Sequence, residues 1–242
     1  FMFDVRWSRL PGLVAVPALA ALAVAGCSSG GSSSSSTQAT DQSAANTSAQ
    51  SAYTASQLQS ALLNKINGQA PSAPVESGAY GSLAEVKATK SSMKGVAVSP
   101  AKCAQTTMTG FNSPAFADVP ATVSTFRVGS NGISEVLLSP SSSTAALALA
   151  KQIPAGCSTY SATVGGKTFT YTVAEQDLTN LAQAARAMNI KASGAQSVDV
   201  WSVVYRAGKF VGAVTIVGPA ASESTAANLA AQAYAHAAKT LH

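Results

Sequence analysis

Polar and apolar residues alternate most regularly between Tyr160 and Val173, on either side of Gly165-Gly166. One face of these two segments collects Tyr, Ala, Val and Phe side chains, and the other collects Ser and Thr hydroxyls. A period of two residues is typical of strands with one packed face and one solvated face. Two glycines between such segments indicate a tight turn. We therefore expect an antiparallel hairpin that packs on one side only.

Two further hairpins are predicted, at 123–138 and at 198–217. Both have glycine-containing turns between their apolar segments. The second hairpin is apolar on both faces, so we expect it at the centre of the sheet. A turn at 207–208 predicts a register in which Tyr205 lies opposite Phe210.

Apolar residues spaced three and four apart predict helices before, between and after the hairpins. The predicted helices span about 54–66, 141–153, 175–188 and 222–241. The last is rich in Ala on its apolar side, which permits close packing on a sheet. The expected fold class is α+β, with a mainly antiparallel sheet built from hairpins and covered by helices. Residues 71–120 are broken by Ser, Gly and Pro and predict only short ordered pieces.

The N-terminal residues have the layout of a secretory signal peptide. Arg6 and Arg9 precede an apolar run from Leu10 to Gly26 that ends in small residues. A membrane-spanning helix needs roughly 20 apolar residues, and this run is shorter and contains prolines. We expect residues 1–26 to be removed on export; a retained transmembrane helix is the weaker interpretation.

The apolar run ends in Val24-Ala25-Gly26-Cys27, which resembles the lipobox of bacterial lipoproteins. The resemblance implies that Cys27 becomes the first mature residue and carries a diacylglyceryl thioether, with a further acyl chain on its amine. Each buried methylene contributes about 0.8 kcal/mol, so two or three acyl chains hold a protein stably at a membrane. Ordinary secretion with a free Cys27 thiol is the alternative.

The segment after the lipobox is rich in Ser, Thr, Gln and Gly. It has almost no large apolar side chain, so burial cannot offset the entropy cost of ordering it. We expect residues 27–52 to comprise the lipidated cysteine and a flexible tether, with an average reach on the order of 25 to 30 Å. Residues 53–242 then form a single α+β globular domain.

Two cysteines remain once Cys27 is assigned to lipid. Cys103 and Cys157 form an even pair, which in an oxidising compartment is most simply a disulfide. A redox-active pair is the alternative, although the two residues lack Cys-x-x-Cys spacing. Metal binding is weaker still, because both histidines, His236 and His242, lie at the end of the chain. We expect no metal site and no cofactor.

The chain offers little for catalysis or for nucleic-acid binding. Charged residues make up 10% of it, and the formal net charge of +5 is scattered rather than clustered. Neither a glycine-rich phosphate loop nor a Gly-x-Ser-x-Gly elbow is present, and neither histidine is placed like a general base. The closest acidic pair, Glu175 and Asp177, has the spacing of a helix N-terminus more than of an acid/base dyad. We expect a protein that is not an enzyme.

Several features together resemble small mycobacterial lipoproteins of unknown function. They are the lipobox, the Ser-rich tether, the Pro-x-x-Cys turn at 100–103, the cysteine after the central helix and the Ala-rich last helix. Residues 54–242 are also similar, more loosely, to the extracellular sensor domain of the mycobacterial serine/threonine kinase PknH. The resemblance implies a helix-covered sheet with a ligand groove and no established catalysis. That domain carries two disulfides, whereas this chain has cysteines for one.

Aromatic residues on the predicted strands are the candidates for ligand binding. Trp201, Tyr205 and Phe210 could line an apolar groove, and Arg127 could meet an anionic headgroup. The structural alternative is that the aromatic side chains fill the core and that Arg127 is a solvated surface charge.

These patterns favour a membrane-anchored cell-envelope lipoprotein on the outer face of the cytoplasmic membrane. Its extracytoplasmic domain would bind or sense an amphiphilic molecule such as a lipid or glycolipid, without catalysis. The alternative is an interaction module that docks to another envelope protein or to a host receptor. The two differ in what the surface must show, namely an apolar groove for the first and an exposed apolar patch for the second.

Overall fold

A computed structural model describes residues 52–107, 111, 113–150, 153–194 and 197–241. The predicted signal peptide at 1–26, the predicted lipidation of Cys27 and the predicted tether at 27–52, apart from its last residue, lie outside these residues. None of the helices in the described ranges combines the length and apolar character needed to cross a membrane.

The described residues form one nine-stranded antiparallel sheet. Its strands are β1 Glu76–Ala79, β2 Ala97–Ser99, β3 Pro120–Val128, β4 Asn131–Leu138, β5 Thr159–Val164, β6 Lys167–Leu178, β7 Ala184–Ser193, β8 Val198–Ala207 and β9 Phe210–Val217. The order across the sheet is β1-β3-β4-β9-β8-β7-β6-β5-β2. The sheet and its helices confirm the predicted α+β class.

Four α-helices pack on the sheet, namely α1 Ala55–Ser60, α2 Ala84–Ser92, α3 Ser142–Leu149 and α4 Glu223–Thr240. The side chains of Thr54, Ser141 and Ser222 each accept a hydrogen bond from a backbone N–H in the first turn of the helix that follows. Short 3-10 turns occur at Tyr80–Ser82, Ala101–Thr107 and Pro114–Phe116.

The helices divide the core between the two faces of the sheet. On one face, α1 and α4 cover the middle strands, and α4 buries four alanines there as predicted: Ala226, Ala230, Ala233 and Ala237. On the other face, α2 and α3 cover β3, β4, β8 and β9. A third apolar cluster, around the β5–β6 hairpin, contains the disulfide between Cys103 and Cys157. The predicted pairing of these cysteines is therefore present in the fold.

The β5–β6 hairpin confirms the alternation in the sequence. Gly165 and Gly166 both have positive φ, which a two-residue type I′ turn requires. Tyr160, Phe169 and Tyr171 are buried, whereas the threonines on the opposite face are exposed or half-buried. Among the described residues, no helix covers this hydroxyl-bearing face of β5 and β6, since α4 packs mainly against β8 and β9.

The hairpin of β8 and β9 lies at the centre of the sheet, as predicted, but its predicted register was wrong. The turn consists of Gly208 and Lys209, with positive φ at Gly208, so that Ala207 lies opposite Phe210. Tyr205 therefore lies opposite Gly212, two residues beyond the predicted partner. The Tyr205 ring lies across Gly212, where a Cβ atom would overlap it.

The helix predicted at 175–188 was wrong. Residues up to Leu178 extend β6, and β7 begins at Ala184. Asn180 and Ala182 have positive φ in the connection, which a helix cannot contain. The helical spacing arises because β7 is buried on both faces in its middle, so its apolar residues do not alternate.

Two predicted helices are shorter than expected. The helix that begins after Thr54 ends at Ser60, because residues 61–66 run on without helical pairing to a tight turn at Asn67 and Gly68. The helix expected over 141–153 ends at Leu149. It buries alanines rather than leucines, and Leu147 is 43% exposed.

Candidate functional site

A cavity of about 250 Å³ lies between the C-terminal end of α3 and the hairpin of β6 and β7. We call it the hairpin-end cavity. It is lined by Leu149, Asp177, Leu178, Ala184, Ala185 and Arg186.

Arg186 organises the polar side of this cavity. Its guanidinium donates to Asp177 Oδ1 at 2.8 and 3.1 Å and to Glu175 Oε2 at 3.1 Å. Asp177 lies directly opposite Arg186 in the ladder of β6 and β7. Only 15% of the Arg186 side chain and 11% of the Glu175 side chain are exposed, against 74% for Asp177. Two carboxylates, one partly buried and one exposed, therefore surround a single partly buried cation, which leaves one excess negative charge.

Glu175 also fixes the chain that follows α3. Its Oε1 accepts a hydrogen bond of 2.6 Å from the Ile153 backbone N–H. This contact joins the segment before Cys157 to β6, while Lys102 Nζ donates to the Ala155 carbonyl at 3.2 Å. The wall of the cavity is thus held by charge-assisted hydrogen bonds rather than by apolar packing alone.

Replacing Arg186 by Ala should destabilise the domain. Glu175 would keep its burial and lose its ion-pair partner, so we expect the free energy of unfolding to fall by about 2 kcal/mol. The matched control is Lys191→Ala, because Lys191 and Asp199 form a more exposed pair at 3.7 Å. That variant should change stability by less than about 0.5 kcal/mol. Equal losses in the two variants, measured by urea unfolding, would contradict the role given to Arg186.

The residues predicted to bind a ligand do not converge on one groove. Tyr205 is fully buried and Phe210 is 4% exposed, and both lie in the core beneath α4. Their rings meet edge to face at a centroid distance of 6.4 Å. Trp201 is half-buried at the margin of the same core, and Arg127 is exposed on β3. Tyr205 and Phe210 thus occupy structural positions, whereas Trp201 and Arg127 remain accessible but lie on opposite faces of the sheet.

A second feature is a group of buried polar side chains on the face covered by α1 and α4. We call Ser124, Glu135 and Tyr205 the buried polar cluster. Ser124 and Glu135 are opposite each other on β3 and β4, and Tyr205 reaches toward β4 across Gly212. All three are at most 1% exposed. Ser124 Oγ, Glu135 Oε1 and the Tyr205 hydroxyl have no hydrogen-bond partner among the described residues.

Burial raises the pKa of both acidic groups in this cluster, Glu135 and Tyr205. It raises the pKa of Glu135 to about 7, although a hydrogen bond from the Leu63 backbone N–H opposes the rise. Burial also raises the pKa of Tyr205 well above its ordinary value, and the Glu135 carboxylate adds to that effect. At neutral pH, Glu135 is therefore divided between its neutral and ionised forms.

Within the described ranges, no three His, Cys, Asp or Glu side chains lie close enough together to hold a metal ion. Glu76 and Glu85 are neighbours near the start of α2, where Glu76 Oε2 accepts from the Glu85 backbone N–H at 3.2 Å. Burial, and the nearby Glu76 charge, raise the pKa of Glu85.

Comparison with solved structures places this architecture. The domain has the fold of the extracellular domain of PknH from Mycobacterium tuberculosis. The two superpose with a TM-score of 0.50 at 13% sequence identity, over 79% of this chain and 97% of that domain. An uncharacterised protein from Mycobacterium smegmatis gives a TM-score of 0.43 at 14% identity, over 60% of this chain and 77% of that one. No protein-family model and no curated protein sequence matches the chain.

Sequence reasoning missed both the Arg186 ion pairs and the buried polar cluster. The first was hidden by the assignment of 175–188 to a helix. The second had a visible signal, since Glu135 is a lone carboxylate in an otherwise apolar and hydroxyl-bearing strand from Ile133 to Leu138. An acidic residue at a core-facing position of a central strand is rare enough to mark a special environment.

Proposed function

We propose that this chain is a non-catalytic lipoprotein of the cell envelope whose domain binds a small amphiphile, such as a lipid or glycolipid, outside the cytoplasmic membrane. The hairpin-end cavity supports an amphiphilic ligand, because leucine and alanine residues lie there beside an ion pair. We propose no catalysis, because Arg186 is already paired with Glu175 and Asp177, and the described residues that line the cavity include no Ser, Thr, Cys or Lys.

The location rests on the N-terminal sequence and on the disulfide. A lipobox before Cys27 directs a chain across the membrane and then anchors it there, and a disulfide persists in oxidising compartments. The solved domain that shares the fold is extracellular in its kinase. All three support an anchored domain on the outer face of the membrane.

Changing Cys27 to Ala should release the protein from membranes. Without the thioether-linked acyl chains, no part of the described domain supplies a spanning helix, so we expect the variant in the soluble fraction after cell lysis. Fractionation followed by immunoblotting measures this. The Cys103→Ser variant, which keeps Cys27, is the control and should stay with the membranes. Tight membrane association of the Cys27→Ala protein would overturn the anchor.

The shape and charge of the cavity limit the ligand. Its volume of about 250 Å³ lies just below the roughly 300 to 1,000 Å³ of drug-sized sites, so it fits one short chain or the end of a longer one. Arg186 already has two carboxylate partners, whereas the Asp177 side chain is 74% exposed. A headgroup with hydroxyl or ammonium donors therefore fits the opening of the hairpin-end cavity better than a purely anionic headgroup.

Filling the cavity should abolish binding. Leu149→Trp would place an indole in the cavity, whereas Leu147→Trp adds the same group at a position 43% exposed on the same helix. We expect the affinity for short single-chain amphiphiles with hydroxyl or ammonium heads to fall at least about tenfold in the first variant and to stay unchanged in the second. Calorimetric titration measures both. Equal affinities in the two variants would contradict this site.

The docking-module alternative receives less support from the surface. It requires an exposed apolar patch larger than the few hundred Å² normal for monomers. Across the described residues, Leu147 is the only large hydrophobic side chain that is exposed to solvent. A single leucine on α3 does not make such a patch.

A further inference from the structure

The segment at the start of the described residues is held to the sheet at a few defined points. Leu58 of α1 and Leu62 and Ile66 beyond it are buried in the core under the helix. At the start of the segment, the Tyr53 backbone N–H donates to Ser139 Oγ at 2.9 Å, and the Tyr53 hydroxyl donates to the Leu241 carbonyl at 3.2 Å. We call residues 61–66, which follow α1 without helical pairing, the latch segment.

One side chain of the sheet bonds the latch segment directly. Glu135 Oε2 on β4 accepts a hydrogen bond of 2.9 Å from the Leu63 backbone N–H. Within the described residues, no other side-chain hydrogen bond joins residues 61–66 to the sheet. The bond from Leu63 to Glu135 is therefore the polar side-chain contact between the latch segment and the sheet. Its other oxygen, Oε1, has no partner there.

The surroundings of Glu135 suit a neutral carboxyl better than a carboxylate. β3 presents Ser124, β9 presents Val214, and β8 presents Tyr205, whose hydroxyl also lacks a described partner. The latch segment contributes Lys65, which is exposed, and the core-facing residues of α4 are alanines and Leu229. No cation among these groups compensates a negative charge on Glu135, so burial here costs the ionised carboxylate more than the neutral carboxyl.

We propose that Glu135 is a proton-operated latch: its neutral carboxyl holds residues 61–66 against the sheet, and its ionisation favours release of that segment into water. Release hydrates the carboxylate and frees residues 61–66, which follow α1. The apolar contacts of Leu62 and Ile66 oppose release, so the open state is a minor one whose population depends on pH. The latch segment is not a ligand site, and its release does not depend on whether the hairpin-end cavity is occupied.

The direction of the pH effect follows from linkage. In the open state Glu135 titrates near its ordinary pKa of 4.5, and in the closed state burial raises that pKa to about 7. Between these two values the closed state binds more protons. The opening constant should therefore rise about tenfold for each pH unit from 4.5 to 7, and level off above that.

Hydrogen exchange on the full chain tests the latch. Exchange of amides 61–66 is followed by mass spectrometry between pH 5 and pH 8, and each rate is corrected for intrinsic exchange with an unstructured peptide of the same sequence. We expect the corrected opening of these amides to increase about 100-fold across this range in the wild-type protein, and to exceed at every pH the opening of amides in β8, which exchange by global unfolding.

Two variants make the result specific. Glu135→Gln cannot ionise and should give a flat profile for amides 61–66. Glu85→Gln removes a buried carboxyl whose pKa burial also raises, but which lies on the other face of the sheet, and it should leave the wild-type profile intact. A flat wild-type profile, or a pH response that persists in Glu135→Gln, would overturn the latch. Opening of amides 61–66 that is no more frequent than that of the β8 amides would also overturn it, since it would show global rather than local opening.

Discussion

Replacing Cys103 and Cys157 together by Ser should lower the free energy of unfolding by about 4 kcal/mol. The bond links residues 54 positions apart, and in the chain-entropy model a loop of that length contributes roughly this amount by restricting the unfolded chain. Both cysteines are fully buried in the cluster beneath β5 and β6, so the substitution also places hydroxyls in an apolar site. Stability of this size is a large share of what a single domain possesses.

Urea unfolding in a Cys27→Ala background measures the loss, because that background removes the third cysteine and with it the proposed lipid. The protein that keeps both Cys103 and Cys157, unfolded with and without a reducing agent, serves as the control. Reduction should lower its free energy of unfolding by a similar amount. An unchanged unfolding midpoint in the double Ser variant would mean that the two cysteines are not bonded in the protein.

Glu135→Gln should stabilise the domain at pH 8 by about 3 kcal/mol and leave it nearly unchanged at pH 4. The pKa of Glu135 is raised from 4.5 to about 7 by burial, so its neutral form is favoured by folding. The stability associated with this group is fully present below pH 4.5 and is lost as pH rises through about 7. Gln cannot ionise and keeps an amide oxygen that can accept from the Leu63 N–H.

Thermal or urea unfolding of both proteins across pH 4 to 8 checks this expectation. Glu85 also has a raised pKa, so the wild-type curve contains a second contribution of the same sign. The difference between wild type and Glu135→Gln isolates Glu135, because Glu85 is present in both. A difference that does not change with pH would contradict the burial-raised pKa of Glu135.

The parts of the fold that could be predicted are those in which one physical requirement determines the residue pattern. The β5–β6 hairpin has one wet face, so its Thr and Tyr residues alternate. The terminal helix packs closely on the sheet, so its inner side is alanine. In each case, a solvent boundary fixes the identity of alternate or periodic residues.

The parts that could not be predicted lack such a boundary. β7 is buried on both faces along its middle, so Leu181, Ala185 and Met188 matched a helical spacing by coincidence. The register of β8 and β9 depends on whether the turn begins at Ala207 or at Gly208. Both faces of that hairpin are apolar, so the apolar pattern is compatible with either of two registers that differ by two residues.

The candidate sites were harder to predict than the fold because they depend on contacts between distant segments. The pairing of Arg186 with Asp177 requires the correct strand assignment of β6 and β7. The contact between Leu63 and Glu135 joins residues 72 positions apart. A single sequence marks Glu135 as an unusual strand residue but does not show which distant residue contacts it, and it shows no partner for Arg186. The aromatic residues were conspicuous in the sequence and proved, for Tyr205 and Phe210, to lie in the core.

The most direct test of the proposed function is native mass spectrometry of the full chain purified gently from its own membranes, followed by lipid analysis of whatever dissociates. We expect one small amphiphile per domain, absent from the Leu149→Trp protein and present in the Leu147→Trp protein. A domain that carries no bound molecule in any of the three preparations would contradict amphiphile binding and would shift the search to a protein partner at the membrane.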